Sequence, residues 1–277
     1  MNTSEIREVT AREGLSPNKK LGQNFLCSDA VVERILAHAG VTPYDTVLEI
    51  GPGLGAVTEG LCRAALGVYA VEIDAGLARF LKTRFAQEPR LTVIHDDFLK
   101  HQPIPGITKA VGNLPYYCST EILFRLAEEY RTPKIFVMLQ REMAERIRAL
   151  PGSGSYGAIT VTLGAFYESE TLFKIEKTAF YPQPEVSSTF IALTRREDPL
   201  VGDAHIETFR ALVKAAFWGR RKTLATALSG SPHLSLEKAA ASALVREMGL
   251  DEKVRGEDCS PGDFARMAEH LANHGPS

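Results

Sequence analysis

"VLEIGPGLGAVTEGL", residues 47–61, joins an apolar, partly β-branched run to a helical pattern through three glycines spaced two apart. Gly51, Gly53 and Gly55 allow a tight turn and let backbone N–H groups approach a ligand at the start of the following helix, as in nucleotide-binding βαβ units. Gly51, Gly53 and Ala56 also satisfy the G-x-G-x-x-G/A form used for NAD, so the turn alone leaves a dehydrogenase possible.

Outward from this turn, "VYAVEID" (68–74), "RLTVIHDD" (90–97), "KAVGN" (109–113) and "KIFVML" (134–139) repeat the strand pattern. Amphipathic stretches separate them. One is "SDAVVERILAHAG" (28–40), which has Ser28 as its expected N-cap, Val31, Val32, Ile35 and Leu36 on one face, and Gly40 as its stop. Strands alternating with helices predict a parallel sheet. After the Gly/Ser loop "PGSGSYG" (151–157), the stretches "AITVTLGAFYESETLFKI" (158–175) and "STFIALTRR" (188–196) predict two more strands, antiparallel at one edge, for seven in all. "RREDPLVGD" (195–203) reads as a linker, and only helical patterns follow it. The expected division is an α/β domain over residues 1–197 and a small all-α domain over residues 198–277.

The chain of 277 residues has 44% hydrophobic and 24% charged residues, an ordinary globular balance. The first twenty residues alternate acids and bases without an apolar core, and no later run of about eighteen apolar residues follows, so a cytoplasmic protein without a membrane segment is expected. Cys27, Cys62, Cys118 and Cys259 stand far apart with no metal-ligand spacing. Neither a disulfide framework nor a metal site is expected. A net charge of −2 excludes attraction of nucleic acid by the whole surface but not by a local patch.

Three further strand ends carry chemistry. Glu72 of "VEID" lies about twenty residues beyond the glycine turn, where a carboxylate accepts hydrogen bonds from ribose hydroxyls. "HDDF" (95–98) closes the next strand, and a carboxylate there can accept from an adenine amino group; Asp97 is preferred, although spacing alone does not separate it from Asp96. The fourth strand ends in Asn113-Leu114-Pro115-Tyr116, which brings an amide, a peptide carbonyl and an aromatic ring to the edge of the sheet where ligands bind. An exocyclic base amine is a poor nucleophile because its lone pair is delocalised into the ring. The Asn113 side-chain oxygen and the Leu114 carbonyl supply acceptors for its hydrogens, and Tyr116 supplies a stacking face that fixes its position. Hydride transfer has no use for such a loop.

Together, "LGQNFL" (21–26), "EIGPGLGAVTE" (49–59), "VEID" (71–74), "NLPYYCST" (113–120), "YGAITV" (156–161) and "FYPQPEVSST" (180–189) resemble the ribosomal RNA adenine dimethyltransferases, and most nearly their bacterial small-subunit branch. The resemblance spans nearly the whole chain. It implies a Rossmann-like, seven-stranded methyltransferase sheet with a small all-α C-terminal domain. It implies S-adenosylmethionine as methyl donor, the small ribosomal subunit and its rRNA as partner, and two adjacent adenosines near the rRNA 3′ end as targets, each becoming N6,N6-dimethyladenosine. Carried over by motif, Asn24 and Leu26 line the cofactor pocket, Gly51 meets the methionine part, Glu72 the ribose and Asp97 the adenine, while Asn113 touches both cofactor and target amine. Phe180 is expected to stack on the flipped base opposite Tyr116. Cys118 departs from the aliphatic residue common at its position. "NLPYY" rather than an isoleucine-containing "NIPY" favours the small-subunit branch over the large-subunit, antibiotic-resistance type. A non-catalytic assembly factor on the same fold is the reading from another class, and the intact loop and glycine turn speak against it.

"FRALVKAAFWGRRKTLATAL" (209–228) carries Arg210, Lys214, Arg220, Arg221 and Lys222 with no acid between, beside Phe217 and Trp218. Arg220, Arg221 and Lys222 are the expected RNA-phosphate contacts, and the aromatics can pack or stack. Nothing demands an oligomer, so a monomer is expected.

Overall fold

The computed structural model describes residues 1–219 and 221–274, the side chains of Lys19 and His274 excepted. In chain order its strands are β1 (Phe25–Leu26), β2 (Thr46–Ile50), β3 (Gly67–Glu72), β4 (Leu91–His95), β5 (Lys109–Asn113), β6 (Lys134–Gln140), β7 (Tyr167–Ile175), β8 (Phe180–Tyr181) and β9 (Ser188–Arg195). The helices are α1 (Thr3–Arg12), α2 (Asp29–Ala39), α3 (Thr58–Ala64), α4 (Ala75–Arg84), α5 (Ser119–Glu128), α6 (Arg141–Ile147), α7 (Ala158–Phe166), α8 (Ile206–Phe217), α9 (Leu224–Ser229), α10 (Lys238–Glu247) and α11 (Pro261–His274). No helix among the described residues is long and apolar enough to cross a membrane.

The chain forms two compact units, Met1–Ala144 with Glu170–Thr194, and Glu145–Ser169 with Arg195–Ser277. In the first, a seven-stranded sheet runs in the order β4-β3-β2-β5-β6-β9-β7. The pairs β4·β3, β3·β2, β2·β5 and β5·β6 are parallel, and β9 is antiparallel to β6. Strand order reverses between β2 and β5, the switch point where open α/β sheets bind ligands. The register brings Ile50 beside Val71 and Gly112, Glu72 beside His95, and Asn113 beside Met138. The glycine turn, Glu72 and the Asn113 loop therefore leave the sheet along one edge.

Parallel strands are covered on both faces, so β2, β3 and β5 bury nearly every residue. Helix α2 follows Ser28, which occupies the N-cap position without a side-chain cap bond, and stops at Gly40 in the left-handed conformation (φ 52°). The N-terminal segment, read only as alternating charge, is ordered as α1: Asn2 and Glu5 close a reciprocal capping box, and Ile6 packs with Phe25, Leu54, Leu77, Phe80 and Leu81. A two-stranded ribbon pairs β1 with β8, Phe25 opposite Tyr181 and Leu26 opposite Phe180. This ribbon ties the "GQNFL" segment to the "FYPQP" loop.

The second unit corrects one sequence expectation. Residues 158–166 form helix α7, and only 167–175 form a strand. Ile159, Val161, Leu163, Ala165 and Phe166 are all buried, so the run carries no amphipathic period, and a short wholly buried helix looks like a buried strand in sequence. Thr160 starts the helix: it accepts from the Gly157 N–H at 3.2 Å and donates to the Arg146 carbonyl at 2.5 Å. Residues 145–169 accordingly group with the C-terminal helices, instead of the single division at residues 197/198 expected from the linker. Within this unit Phe166 meets Phe209 edge-on at 6.2 Å, and Phe217 lies between Tyr156 and Phe264 at 6.3 and 6.0 Å. The Tyr156 hydroxyl donates to the Cys259 carbonyl at 2.7 Å, satisfying a buried phenol.

Candidate active site

At the switch point lies a cleft of about 840 Å³ including its open mouth. Its lining joins Asn24 and Leu26, the glycine turn, Glu49, Glu72 and Asn113. Gly51, Gly53 and Gly55 all have left-handed φ, of 65°, 59° and 79°. A Cβ on Gly53 would stand 3.1 Å from Phe25, and one on Gly55 2.7 Å from Phe85, so these two are also fixed by close packing. The floor beside Gly51 stays open, the nearest atom to a Cβ there being the Asn113 carbonyl at 4.0 Å.

Glu72 ends β3 and is 3% exposed. It accepts from the Gly53 N–H at 3.1 Å and the Asp74 N–H at 3.0 Å, which holds its carboxylate against the turn with lone pairs to spare for hydroxyl donors. Burial pushes its pKa up to about 7 against the opposing pull of these amides.

Glu49 is the residue that sequence reasoning missed. It sits in β2, lines the cleft and is 3% exposed. Burial, with the nearby Glu72 carboxylate adding to it, raises its pKa to about 7 against the opposing pull of the nearby Thr58 hydroxyl. Its Oε2 has no hydrogen-bond partner among the described residues. A buried, unpaired carboxyl oxygen is costly unless a donor arrives, and a cation is the strongest donor available. The signal was an acid inside an otherwise apolar strand directly before the glycine turn.

Asn113 ends β5, and its Nδ2 donates to the Asn24 carbonyl at 3.0 Å, so its carboxamide oxygen is left to accept. Asn24 is itself fixed, its Nδ2 donating to the Gly22 carbonyl at 2.9 Å. The Leu114 N–H donates to the Met138 carbonyl at 3.2 Å, whereas no hydrogen bond within the described residues engages the Leu114 carbonyl. The Asn113 oxygen is therefore an open acceptor in the lining of the cleft, whereas Leu114, 1% exposed, is not among the lining residues. Tyr116 is half-buried, with its hydroxyl 3.4 Å from the Ser188 hydroxyl. Its neighbour Tyr117 is 58% exposed and lines the cleft.

The loop after β4 distinguishes the two aspartates. Asp96 is half-exposed and engaged by His101 Nδ1 at 2.8 Å, an interaction that heads the causes holding its pKa below the usual carboxylate range. Asp97 is less exposed and accepts from the Leu99 N–H at 3.0 Å. Neither aspartate is among the residues lining the cleft. Buried Arg125 holds this loop: it donates to the Phe98 carbonyl at 2.6 Å and to the His101 carbonyl, with its guanidinium 5.5 Å from the Phe98 ring.

Phe180 lies elsewhere than the expected stacking position. It is 3% exposed and belongs to the apolar core with Leu26, Phe173 and Phe190, so its ring is not presented to the cleft. Pairing with Leu26 in the β1·β8 ribbon turns it inward. Of the expected RNA contacts, Arg221 and Lys222 are exposed, and Arg220 lies outside the described residues.

The sequence model of the family described as ribosomal RNA adenine dimethylase matches residues 14–273. The chain is 39% identical over 276 residues to "Ribosomal RNA small subunit methyltransferase A" of Bacillus pumilus, covering 96% of this chain and 94% of that protein. Among solved structures it resembles a dimethyladenosine transferase from Plasmodium falciparum, with a TM-score of 0.79 at 22% identity over 91% of this chain and 98% of that one. It also resembles the 23S rRNA methyltransferase ErmE, with a TM-score of 0.68 at 28% identity over 90% of this chain and 99% of that one.

Proposed function

The chain belongs to the ribosomal RNA adenine dimethylase family, and from that premise we propose that it methylates two adjacent adenosines near the 3′ end of small-subunit rRNA to N6,N6-dimethyladenosine during ribosome biogenesis. The observation that carries the reading is the open acceptor Asn113 Oδ1 in the lining of a cleft with a glycine-turn floor.

The donor set fits S-adenosylmethionine, which when bound supplies an electrophilic methyl on a sulfonium. Glu72 accepts from the ribose hydroxyls, and Gly51 leaves room for the methionine part. The unpaired Oε2 of Glu49 takes the ammonium. Asn24 and Leu26 close the wall formed by the N-terminal segment. Asp97, which Lys100 approaches at 3.5 Å, is assigned to the adenine amino group in preference to the more exposed Asp96, which His101 engages at 2.8 Å. Arg125 presents the Asp97 loop.

On the RNA side, Asn113 Oδ1 and the Leu114 carbonyl accept the two hydrogens of the target N6 amine, which draws the nitrogen lone pair out of conjugation. Tyr116 stacks on the flipped base and fixes the nitrogen in line with the methyl group, offsetting part of the few kcal/mol spent on unstacking. The cationic amine formed then loses its proton to water. Methyl transfer belongs to the unit Met1–Ala144 with Glu170–Thr194, and Arg220, Arg221 and Lys222 of the helical region hold rRNA phosphates. The resemblance further supports a cytoplasmic monomer.

The test is transfer of labelled methyl from S-adenosylmethionine to small subunits lacking the modification, with large-subunit RNA alongside and digestion to nucleosides. N6,N6-dimethyladenosine from the small subunit is expected. Product from large-subunit RNA alone would overturn the substrate, and no product from either would overturn the activity.

A further inference from the structure

Helix α8 buries Phe209, Leu212, Val213 and Ala216, and Phe217 packs on Tyr156 and Phe264. Trp218, the chain's one tryptophan, instead stays 56% exposed at the helix end. Its backbone N–H donates to the Ala215 carbonyl at 3.2 Å, and its ring is braced by His233, edge to face at 5.3 Å and 81°. Exposed Lys214 lies one helical turn before it on the same face, and exposed Arg221 and Lys222 follow it. No Asp or Glu occurs between Glu207 and Glu237. A fixed, open indole flanked on both sides by cations fits a polyanion that carries flat rings, whereas an apolar protein partner would leave these charges unmatched.

We propose that Trp218, braced by His233, is a stacking platform for one unpaired nucleotide of the rRNA, a binding point on the helical unit separate from the base that is methylated. This rests on the reading of the chain as an rRNA-modifying enzyme. Stacking supplies affinity with little sequence preference, because every base has a π-face, while Lys214, Arg221 and Lys222 follow the flanking phosphates. The platform acts on substrate binding, not on the chemical step.

The lone tryptophan makes the full-length protein its own reporter. A short single-stranded oligoribonucleotide is titrated in while indole fluorescence is followed, with an abasic oligonucleotide of equal length as the control that keeps phosphates and lacks bases. The bases are expected to quench the indole; the abasic strand binds without comparable quenching. With binding of the variants followed by fluorescence anisotropy of an end-labelled oligoribonucleotide, Trp218→Ala weakens it between about fivefold and about 100-fold, and Trp218→Phe restores most of the loss. Lys222→Ala weakens binding and lowers its salt dependence by about one charge, but keeps the quenching at saturation. With unmethylated small subunits, Trp218→Ala raises KM and leaves kcat unchanged. Equal quenching by the abasic strand, or unaltered binding by Trp218→Ala in a preparation that methylates subunits, would overturn the platform and leave the activity standing. Base-dependent quenching by a wild-type protein that methylates no subunit would overturn the activity and leave the platform.

Discussion

Glu49→Gln tests the electrostatics of the cleft directly. The Glu49 carboxyl is buried in β2, and its pKa stands at about 7 against an ordinary 4.5. A folded-state pKa raised in this way means that the folded protein holds the proton more tightly than the unfolded chain. The associated stability is complete below pH 4.5 and is lost as pH rises through about 7. At about 1.4 kcal/mol per pH unit, that interval amounts to about 3 kcal/mol. Glutamine keeps the shape and cannot ionise. Glu72 titrates in the same direction in both proteins, and because the two carboxylates repel each other the difference reports Glu49 together with its coupling to Glu72. The assay is urea unfolding of the ligand-free wild type and variant at pH 4 and pH 8. The stability of the variant relative to wild type should be about 3 kcal/mol more favourable at pH 8 than at pH 4. Cofactor binding should move oppositely: wild-type affinity for S-adenosylmethionine strengthens as pH rises through about 7, because the ionised carboxylate takes the ammonium, and the variant loses this dependence. A stability difference that does not change with pH would refute the reasoning, since it would mean that Glu49 is solvated or already paired.

Further expectations concern positioning and stability. Arg125→Ala frees the Phe98 and His101 carbonyls and loosens the loop bearing Asp97, so steady-state kinetics should show a raised KM for S-adenosylmethionine with kcat largely kept. Lys109 is buried with its Nζ 3.0 Å from Asp45, 3.1 Å from the Ala39 carbonyl and 2.6 Å from the Gly40 carbonyl. Lys109→Met removes the Asp45 cation, leaving Asp45 to Thr42 and Thr108, and takes the donor from the Ala39 and Gly40 carbonyls, which should cost about 1.5–3 kcal/mol in urea unfolding at pH 7. Burial pushes the Asp45 pKa up, but hydrogen bonds from Thr42, Lys109 and Thr108 outweigh it and bring the pKa down to about 2. A depressed pKa contributes stability above pH 3.8 that is lost as pH falls toward 2, so Lys109→Met should also unfold at higher pH during acid titration.

The sheet was legible because its determinants are local. Gly51, Gly53 and Gly55 do need left-handed φ, and β2, β3 and β5 are largely apolar, buried runs bounded by turn residues. Seven strands were expected and the main sheet has seven, although 158–166 proved to be helix: an apolar run without polar punctuation carries no period. Helix α1 went unread because its apolar face is narrow, little more than Ile6 and Val9 among many charges, and it is held by a capping box and by a cluster of residues distant in sequence. The two-residue strands β1 and β8 are too short to carry a pattern, yet their pairing carries Asn24 to the cleft and turns Phe180 into the core. Pairing of that kind joins residues some 150 positions apart, and nothing in either segment alone announces it. Asn113 was legible by type and place; that its amide nitrogen is spent on the Asn24 carbonyl, which points its oxygen outward, was not.

Asn113 therefore carries the most direct test: single-turnover methyl transfer from S-adenosylmethionine to unmethylated small subunits by wild type and Asn113→Ala, with cofactor binding measured in parallel. Losing one preorganised hydrogen-bonding group should slow transfer at least about 10²-fold while cofactor affinity falls far less. Transfer by Asn113→Ala at the wild-type rate would contradict the claim that this loop holds the target amine.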